Sequence, residues 1–297
     1  MRSGPLVTVG IPVYNNETAL PNAIKSVFAQ SLQDWELVLV DDGSTDQSLQ
    51  FARRIDDPRV RLLPPDGKNL QLGARLNQIA RAARGEYLAR MDADDLCHPK
   101  RLELQLEFLQ NHPDVQIVGA SSCILDSQGN PAQICPVPAS HDDIFRHKFK
   151  SGIAVVHPSL CAPTEWWRRW PYTEHNIRCE DYELWLRASR HCVFANLPDV
   201  LYYTNEFLSY SLRKYARSKH TGAKIVWQYA SKECGSLPAA LYVIQRYGHI
   251  GIWALAKLLR LQKLLIARRY TSLSEREKFE IDKILELIRN TGLPLRE

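Results

Sequence analysis

The sequence predicts an α/β fold: an open, mainly parallel sheet flanked by helices, followed by a helical C-terminal extension. Three observations predict it. Short Val-, Ile- and Leu-rich runs alternate with segments of helical spacing through the first hundred residues. Two of those runs end directly on clusters of acidic residues. Beyond Ser211 nearly all of the chain is compatible with helix.

Leu6 to Pro12 reads as a buried strand and Glu36 to Val40 as a second. Between them, Leu20, Ala23, Ile24, Val27 and Phe28 recur at helical spacing within Ala19 to Gln30. That strand–helix–strand unit has the length a parallel crossover requires. Ser44 to Arg54 is predicted as a helix, Val60 to Leu63 as a short strand, Asn69 to Ala83 as a helix and Gly85 to Met91 as the next strand. Pro99 to Gln110 follows as a helix that Pro113 closes, then Val115 to Ile124 as a strand before a Gly129-Asn130-Pro131 turn. From there to about Asp199 the pattern is irregular and rich in aromatics, except for a helix around Glu180 to Arg190. The boundary near residues 205–215 is a change of pattern without a flexible linker, which divides the chain into 1–211 and 212–297.

Composition narrows the class. With 45% hydrophobic and 24% charged residues the chain of 297 is an ordinary globular protein. Its seven cysteines are scattered singly, with no Cys-x-x-Cys pair, and an odd number is awkward for a secreted disulfide framework. Met1 to Pro5 runs straight into a strand, so no signal peptide is expected, and no uncharged apolar run nears the ~18 residues of a membrane span. A cytoplasmic setting is expected. The net charge of +5 is uneven: six of the 38 basic residues lie between Cys234 and Ser274 with no acid among them, leaving 32 basic against 33 acidic elsewhere.

The acidic clusters are Asp41-Asp42 after the second strand and Asp92-Ala93-Asp94-Asp95 after Gly85 to Met91. In a parallel sheet, ligands bind at the C-terminal ends of the strands. Two carboxylates ~4 Å apart repel by about 4 kcal/mol at an effective dielectric near 20. A divalent cation resolves that repulsion, and oxygen ligands without His or Cys suit Mg²⁺ or Mn²⁺. Asp42-Gly43-Ser44 is also an ordinary turn, and Asp94-Asp95 could be a loop with capping duties. The two clusters together are more specific than either.

Three runs carry a family resemblance: Thr8-Val9-Gly10-Ile11-Pro12-Val13-Tyr14-Asn15, Leu37 to Asp46 through Asp41-Asp42-Gly43-Ser44, and Arg90-Met91-Asp92-Ala93-Asp94-Asp95. Gly73 to Asn77, Ala83 to Tyr87 and His98 to Leu102 supply supporting matches. The chain resembles a family 2 glycosyltransferase of the GT-A fold over roughly residues 6–211. The resemblance implies that Pro12, Tyr14 and Asn15 line a nucleotide pocket, with Asp42 accepting from the ring N–H of uracil or thymine. It implies that Asp92 faces the ribose or sugar, that Ala93 belongs to the donor-binding set, that Asp94 with Asp95 binds the metal, and that Arg75 assists the donor. Cys179-Glu180-Asp181-Tyr182 is similar to the family's Glu-Asp motif, which makes Asp181, beside Glu180, the general base of an inverting transfer; acids also simply favour a helix N-terminus.

One segment departs from the pattern. Where the family often has Tyr-Arg-x-His-x-x-Ser-x-Ser, this chain has Thr204 and Glu206 in place of the Arg and His, with Ser209 and Ser211 in register. A nucleotide-sugar-binding protein with little turnover is therefore the rival reading. A nucleotidyltransferase would want a Gly-rich, Lys-bearing phosphate loop that is missing. Trp166 to Tyr172 offers aromatic faces for an acceptor sugar or for core packing, and His157 reads as structural. Residues 236–270 combine Arg246, Lys257, Arg260, Lys263 and Arg268 with Trp253 and Leu-rich bulk, read as a hairpin or a broken helix. They suit an anionic membrane surface at the inner face of the plasma membrane, near a lipid-linked acceptor, or packing on the catalytic domain or a homodimer. No nucleic-acid-binding module accompanies the charge. The expected partners are a nucleotide-sugar donor, chiefly a UDP-sugar, and a glycan acceptor.

Overall fold

The computed structural model describes residues 4–175, 178–205, 211–259, 261 and 270–296. Its centre is a parallel block. β1 (Val7–Val13) lies between β2 (Trp35–Asp41) and β4 (Tyr87–Arg90), and β3 (Val60–Leu62) continues the block beyond β2. β1 and β2 run in register from Val7 opposite Trp35 to Val13 opposite Asp41. This register brings the segments that follow both strands to one edge. α1 (Leu20–Phe28), α2 (Ser48–Arg53) and α3 (Gln71–Ala82) make the crossovers. Gly85 enters β4 against β1, where a Cβ would stand 2.6 Å from the Val7 carbonyl carbon, so only glycine allows this approach.

The remaining strands turn the sheet mixed. β5 (Leu96–Cys97) and α4 (Arg101–Asn111) precede β6 (Ile117–Leu125) and β7 (Pro131–Cys135). α5 (His141–Phe145), β8 (Cys161–Pro163), α6 (Thr164–Arg169), α7 (Glu180–Ala188) and β9 (Phe194–Asn205) follow. With β10 (Thr271–Ser272), the path reads β10-β7-β6-β8-β4-β1-β2-β3, while β9 pairs with β6 and β5 off that path. The two longest ladders, β1–β2 and β6–β9, are both parallel. One apolar cluster packs α1 and α4 on the sheet, including Ile24, Val27, Leu102 and Leu106. Another packs α3, α6 and α7, including Ile79, Trp166, Trp167 and Trp185.

Three local differences from expectation have physical causes. α2 begins at Ser48 instead of Ser44, because Ser44, Thr45 and Asp46 are spent on bonds to the loop after β1. The segment thought irregular up to Asp199 contains β9, which the Pro198–Asp199 step disguises: the ladder to β6 shifts register between Ala120 and Ser121. Trp166 and Trp167 are core, donating their indole N–H groups to Cys192 Sγ at 3.2 Å and Leu88 O at 3.0 Å, so their faces are not offered to a sugar.

The C-terminal part divides in two. α8 (Leu212–Cys234), capped by the Ser211 hydroxyl, and α9 (Ser236–Leu258) form a helical hairpin through Gly235 at φ +88°. The hairpin seats Ile225, Val226 and Ala230 against Cys179 and Leu186 of the α7 region. α9 runs unbroken from Ser236 to Leu258. Arg260, Lys263, Leu265, Ile266, Arg268 and Arg269 lie outside the described residues. The chain then returns to the sheet: β10 pairs antiparallel with β7, and α10 (Glu275–Asn290) buries Ile281, Leu285 and Ile288 against Cys123, Leu125 and Tyr203. A Ser274–Glu277 capping box starts α10, and Leu295 bridges back to Ile55. Among the described residues no helix is long and apolar enough to cross a membrane.

Candidate active site

Two loops at the C-terminal edge of the parallel block clasp one another. Asn15, at φ +52°, accepts from Thr45 N at 2.8 Å and donates its own N–H to Ser44 Oγ at 3.1 Å. Glu17 N donates to Asp46 Oδ2, and Gln47 N donates to Glu17 Oε2. Pro12 lies partly buried at the end of β1, and Tyr14, 47% exposed, forms the lip. Behind the clasp, Gly43 at φ +78° lets Asp41 accept from Gly43 N and Ser44 N.

Asp42 faces the other way and is fixed by α3. Its Oδ1 accepts from Leu70 N at 2.7 Å and Arg75 Nε at 2.8 Å, and its Oδ2 accepts from Gln71 N at 3.2 Å. Arg75 is 2% exposed, and all five of its N–H groups are engaged, by Asp42, Asp66, Gln78 and the Lys68 carbonyl. That pairing holds the Asp66 carboxyl down to about 2, chiefly through the Arg75 hydrogen bond. In this arrangement Arg75 is a strut for Asp42 and keeps no donor for a ligand.

At the end of β4 the acids divide by depth. Asp92 and Asp94 are half-buried, whereas Ala93 and Asp95 are each 2% exposed. Ala93 therefore offers almost no surface to a ligand. Asp95 Oδ1 has no hydrogen-bond partner, and burial, then Asp92 and Asp94, push its carboxyl well above the usual carboxylate range. Asp94 is raised for the same reasons, burial first and Asp92 second. A buried, unpartnered carboxylate oxygen beside two further acids fits a cation. Among the described residues no three His, Cys, Asp or Glu side chains are grouped to hold a metal alone. Mg²⁺-type sites commonly use one or two carboxylates plus substrate phosphates, so the set fits such an ion.

Glu180 and Asp181 open α7, which meets the start of α3 at Gly73, where a Cβ would lie 3.3 Å from Tyr172 Cβ and 3.6 Å from Glu180 Cβ. Asp181 Oδ1 accepts from Tyr182 N at 2.7 Å, and its Oδ2 lies 3.8 Å from His157 Nδ1. His157 Nε2 is 2.8 Å from the Tyr172 hydroxyl. Burial raises both carboxyls; Asp181 raises Glu180 further, and Arg90 counters the rise in each. Burial, then Arg90, holds His157 well below its ordinary value, so it is neutral.

The charge of Arg90 acts on both sets of groups, a role that its place in the sequence does not signal. Its guanidinium, 2% exposed, contacts Asp92 at 2.7 Å and leaves Nε without a partner, while its charge acts on Asp94, Asp181, Glu180 and His157. A second residue passed over is Tyr202 of β9. Its hydroxyl accepts from Asp92 N at 3.0 Å and bonds to Asp95. Glu206 and Ser209 lie outside the described residues, while Thr204 is buried in β9.

The model of glycosyl transferase family 2 matches residues 8–161, the stretch that holds the clasp, Asp42, Arg75 and Asp92 to Asp95. The chain belongs to that family. EpsE of Bacillus subtilis, named as a glycosyltransferase, is 36% identical over 69% of this chain and 75% of its own length. The amylovoran biosynthesis glycosyltransferase AmsE of Erwinia amylovora is 33% identical over 66% and 74%. Among solved structures, S. aureus TarS in complex with UDP-GlcNAc superposes with a TM-score of 0.57 at 18% identity, over 80% of this chain and 70% of that one. Mannosyltransferase PcManGT of Pyrobaculum calidifontis, in complex with GDP-Man and Mn²⁺, does so at 0.56 and 17% identity, over 96% and 85%. The fold is of the GT-A kind, and the family 2 chain is a glycosyltransferase.

Proposed function

We propose that the chain moves a hexose-type sugar from a UDP- or dTDP-sugar to a glycan or lipid-linked glycan, with inversion. The observation that carries this reading is that Arg90, paired with Asp92 at 2.7 Å, also exerts its charge on Asp94, Glu180 and Asp181, so both carboxylate sets share one electrostatic neighbourhood. Pro12, Tyr14 and Asn15 would border the nucleotide, and Asp42 Oδ2, which accepts only from Gln71 N, would accept from a base N–H. Half-buried Asp94, with Asp95 behind it, would hold Mn²⁺ or Mg²⁺. When bound, that ion neutralises charge on the leaving diphosphate. Asp181 would take the acceptor hydroxyl's proton as its oxygen bonds to the anomeric carbon and the bond to the diphosphate breaks on the opposite face. Its raised pKa makes it a stronger base than an ordinary carboxylate, and the Tyr182 N–H bond to Oδ1 fixes its orientation.

The nucleotide sugars and Mn²⁺ in the TarS and PcManGT complexes support the donor and the ion, and the AmsE name supports a cell-surface polysaccharide setting. The test is metal-dependent release of nucleoside diphosphate from UDP-, dTDP- and GDP-sugars by wild type, Asp94→Ala and Asp181→Asn. Release from one donor, lowered about 10²- to 10⁴-fold in Asp181→Asn, is the expected outcome. If a donor binds with metal yet none turns over with mixed glycan acceptors, the chain is a nucleotide-sugar-binding protein.

We also propose a peripheral position on anionic membrane at the inner face of the plasma membrane. Leu237, Leu241, Ile244, Ile252, Leu255 and Leu258 are exposed along one face of α9. Trp253 and Arg246 are buried on its other side and do not belong to that surface. Flotation with anionic vesicles, lost in a Leu241→Gln/Ile244→Gln double variant, is expected. A stable dimer in solution that fails to float would assign the face to a second copy.

A further inference from the structure

α8 carries a row of side chains that the cleft does not use. Arg213, Arg217, His220, Lys224 and Trp227 recur at alternating spacings of four and three, which sets them on one face of the helix. All five are exposed, Trp227 by 48%. On the other side Gly222, Ile225, Val226 and Ala230 are buried against α9 and the α7 region. From 212 to 258 the chain has one acid, Glu233, and Lys148 and Arg190 already pair with it. Among the described residues the cationic groups of Arg213, Arg217 and Lys224 have no ion-pair or hydrogen-bond partner.

Surface cations without partners are common, and what sets this row apart is its neighbour. α9 runs antiparallel along α8, with Arg246 against Gly222 and Trp253 stacked on Tyr215. On the outward side of the pair, His220 Nδ1 lies 2.8 Å from the Tyr247 hydroxyl, and both residues are exposed. Tyr247 follows Ile244 by three positions, so this bond joins the cation row to the exposed stripe of Leu241, Ile244, Ile252 and Leu255. A basic row ending in Trp and an aliphatic row thus lie side by side, turned away from α7.

We infer that α8 gives the hairpin its selectivity for anionic lipid, with Arg213, Arg217 and Lys224 on the head groups while the α9 stripe enters the acyl boundary. The inference rests on the peripheral-membrane reading above and assigns its charge contacts to α8. From Arg213 to Trp227 the row is roughly 21 Å long at about 1.5 Å per residue, enough to meet more than one head group. A bilayer answers both rows at once: anionic head groups attract basic side chains, and acyl chains take up aliphatic ones. A nucleic acid or an acidic glycan would leave the aliphatic row in water. The hairpin of a second copy offers the cations no acid beyond Glu233. Because α7 packs on the buried side of α8, the helix that carries the candidate base would rest directly on the lipid-bound one.

Flotation of the full chain with phosphatidylcholine vesicles, with and without phosphatidylglycerol, tests the assignment. Wild type should prefer the anionic vesicles, and the preference should fade as salt is raised. Arg213→Gln/Arg217→Gln/Lys224→Gln should lower partitioning onto anionic vesicles at least tenfold, at roughly fivefold per basic residue. It should keep the weak binding to phosphatidylcholine and melt as wild type does, whereas Leu241→Gln/Ile244→Gln should weaken both. Should the triple variant not fold, Arg217→Gln and Lys224→Gln singly, each about fivefold weaker, decide the matter. An undiminished anionic preference in the triple variant, or equal flotation of wild type with both vesicles, overturns the assignment to α8 and leaves the membrane reading standing. Wild type that floats with neither vesicle, as monomer or dimer, removes both.

Discussion

Arg90 sits in the last position of β4 with its guanidinium almost wholly withdrawn from water. Burying such a charge costs several kcal/mol even after relaxation, and one carboxylate at 2.7 Å offsets only part of that. The remaining field falls on Asp181 and His157: it lowers the Asp181 carboxyl against the rise that burial causes, and it helps keep His157 neutral. In the proposed transfer Asp181 is the general base and must be ionised, so the acid limb of a rate–pH profile should report the Asp181 proton. Removing the Arg90 charge should let that pKa climb, moving the limb to higher pH in Arg90→Gln. Arg90→Lys, which keeps the charge, should hold the limb near wild type although kcat falls. A limb unmoved in Arg90→Gln would mean that Arg90 does not govern the base. From sequence this residue is invisible, because one Arg in an apolar strand looks like an outward-facing position. Asp92, Asp94 and Asp181 stand out as candidates in the sequence because the first two follow the end of a strand and the third opens a helix, each within a run that resembles a family motif.

At the scale of elements, the proposed donor wall is a set of loops that hold one another in place. The Asn15–Thr45 clasp and the Asp42–Arg75–Asp66 chain join the ends of β1, β2 and α3 through side chains that bond to backbone. Arg75→Lys keeps the charge but cannot reproduce five directed N–H bonds, so the KM for the donor should rise about tenfold, by ~1.4 kcal/mol, with a smaller change in kcat. Arg75→Ala should lower stability by about 3 kcal/mol in denaturant titration, since it strands two carboxylates. The parallel strands and their helices were readable because apolar runs and helical spacing are local signals. β9 was not, since Pro198 and Asp199 bulge out of its ladder and break the alternation. The late start of α2 was hidden too, because its would-be first turn is spent on bonds to residues 15 and 17.

For the whole molecule, the decisive contact is the return of residues 271–296 to a sheet whose other strands all precede residue 206. Nothing local in the sequence announces it, since α10 reads as one more helix of an extension. Leu285 is fully buried against Tyr203 and Leu125, so Leu285→Ala should cost about 2–5 kcal/mol and lower the Tm of the single main transition. Because Tyr202, beside Tyr203 in β9, supports both Asp92 and Asp95, the same variant should weaken metal-dependent donor binding. A separate C-terminal transition that leaves the sheet's melting unchanged would refute this coupling. The arrangement also bears on synthesis. Chains emerge from the ribosome N-terminus first, at about 5–20 residues per second. The edge of β7 and the apolar patch around Leu125 stay uncovered until α10 has been made, so each nascent chain passes through a sticky, half-finished stage and any product stopped short of Leu285 keeps that patch open to chaperones and proteases.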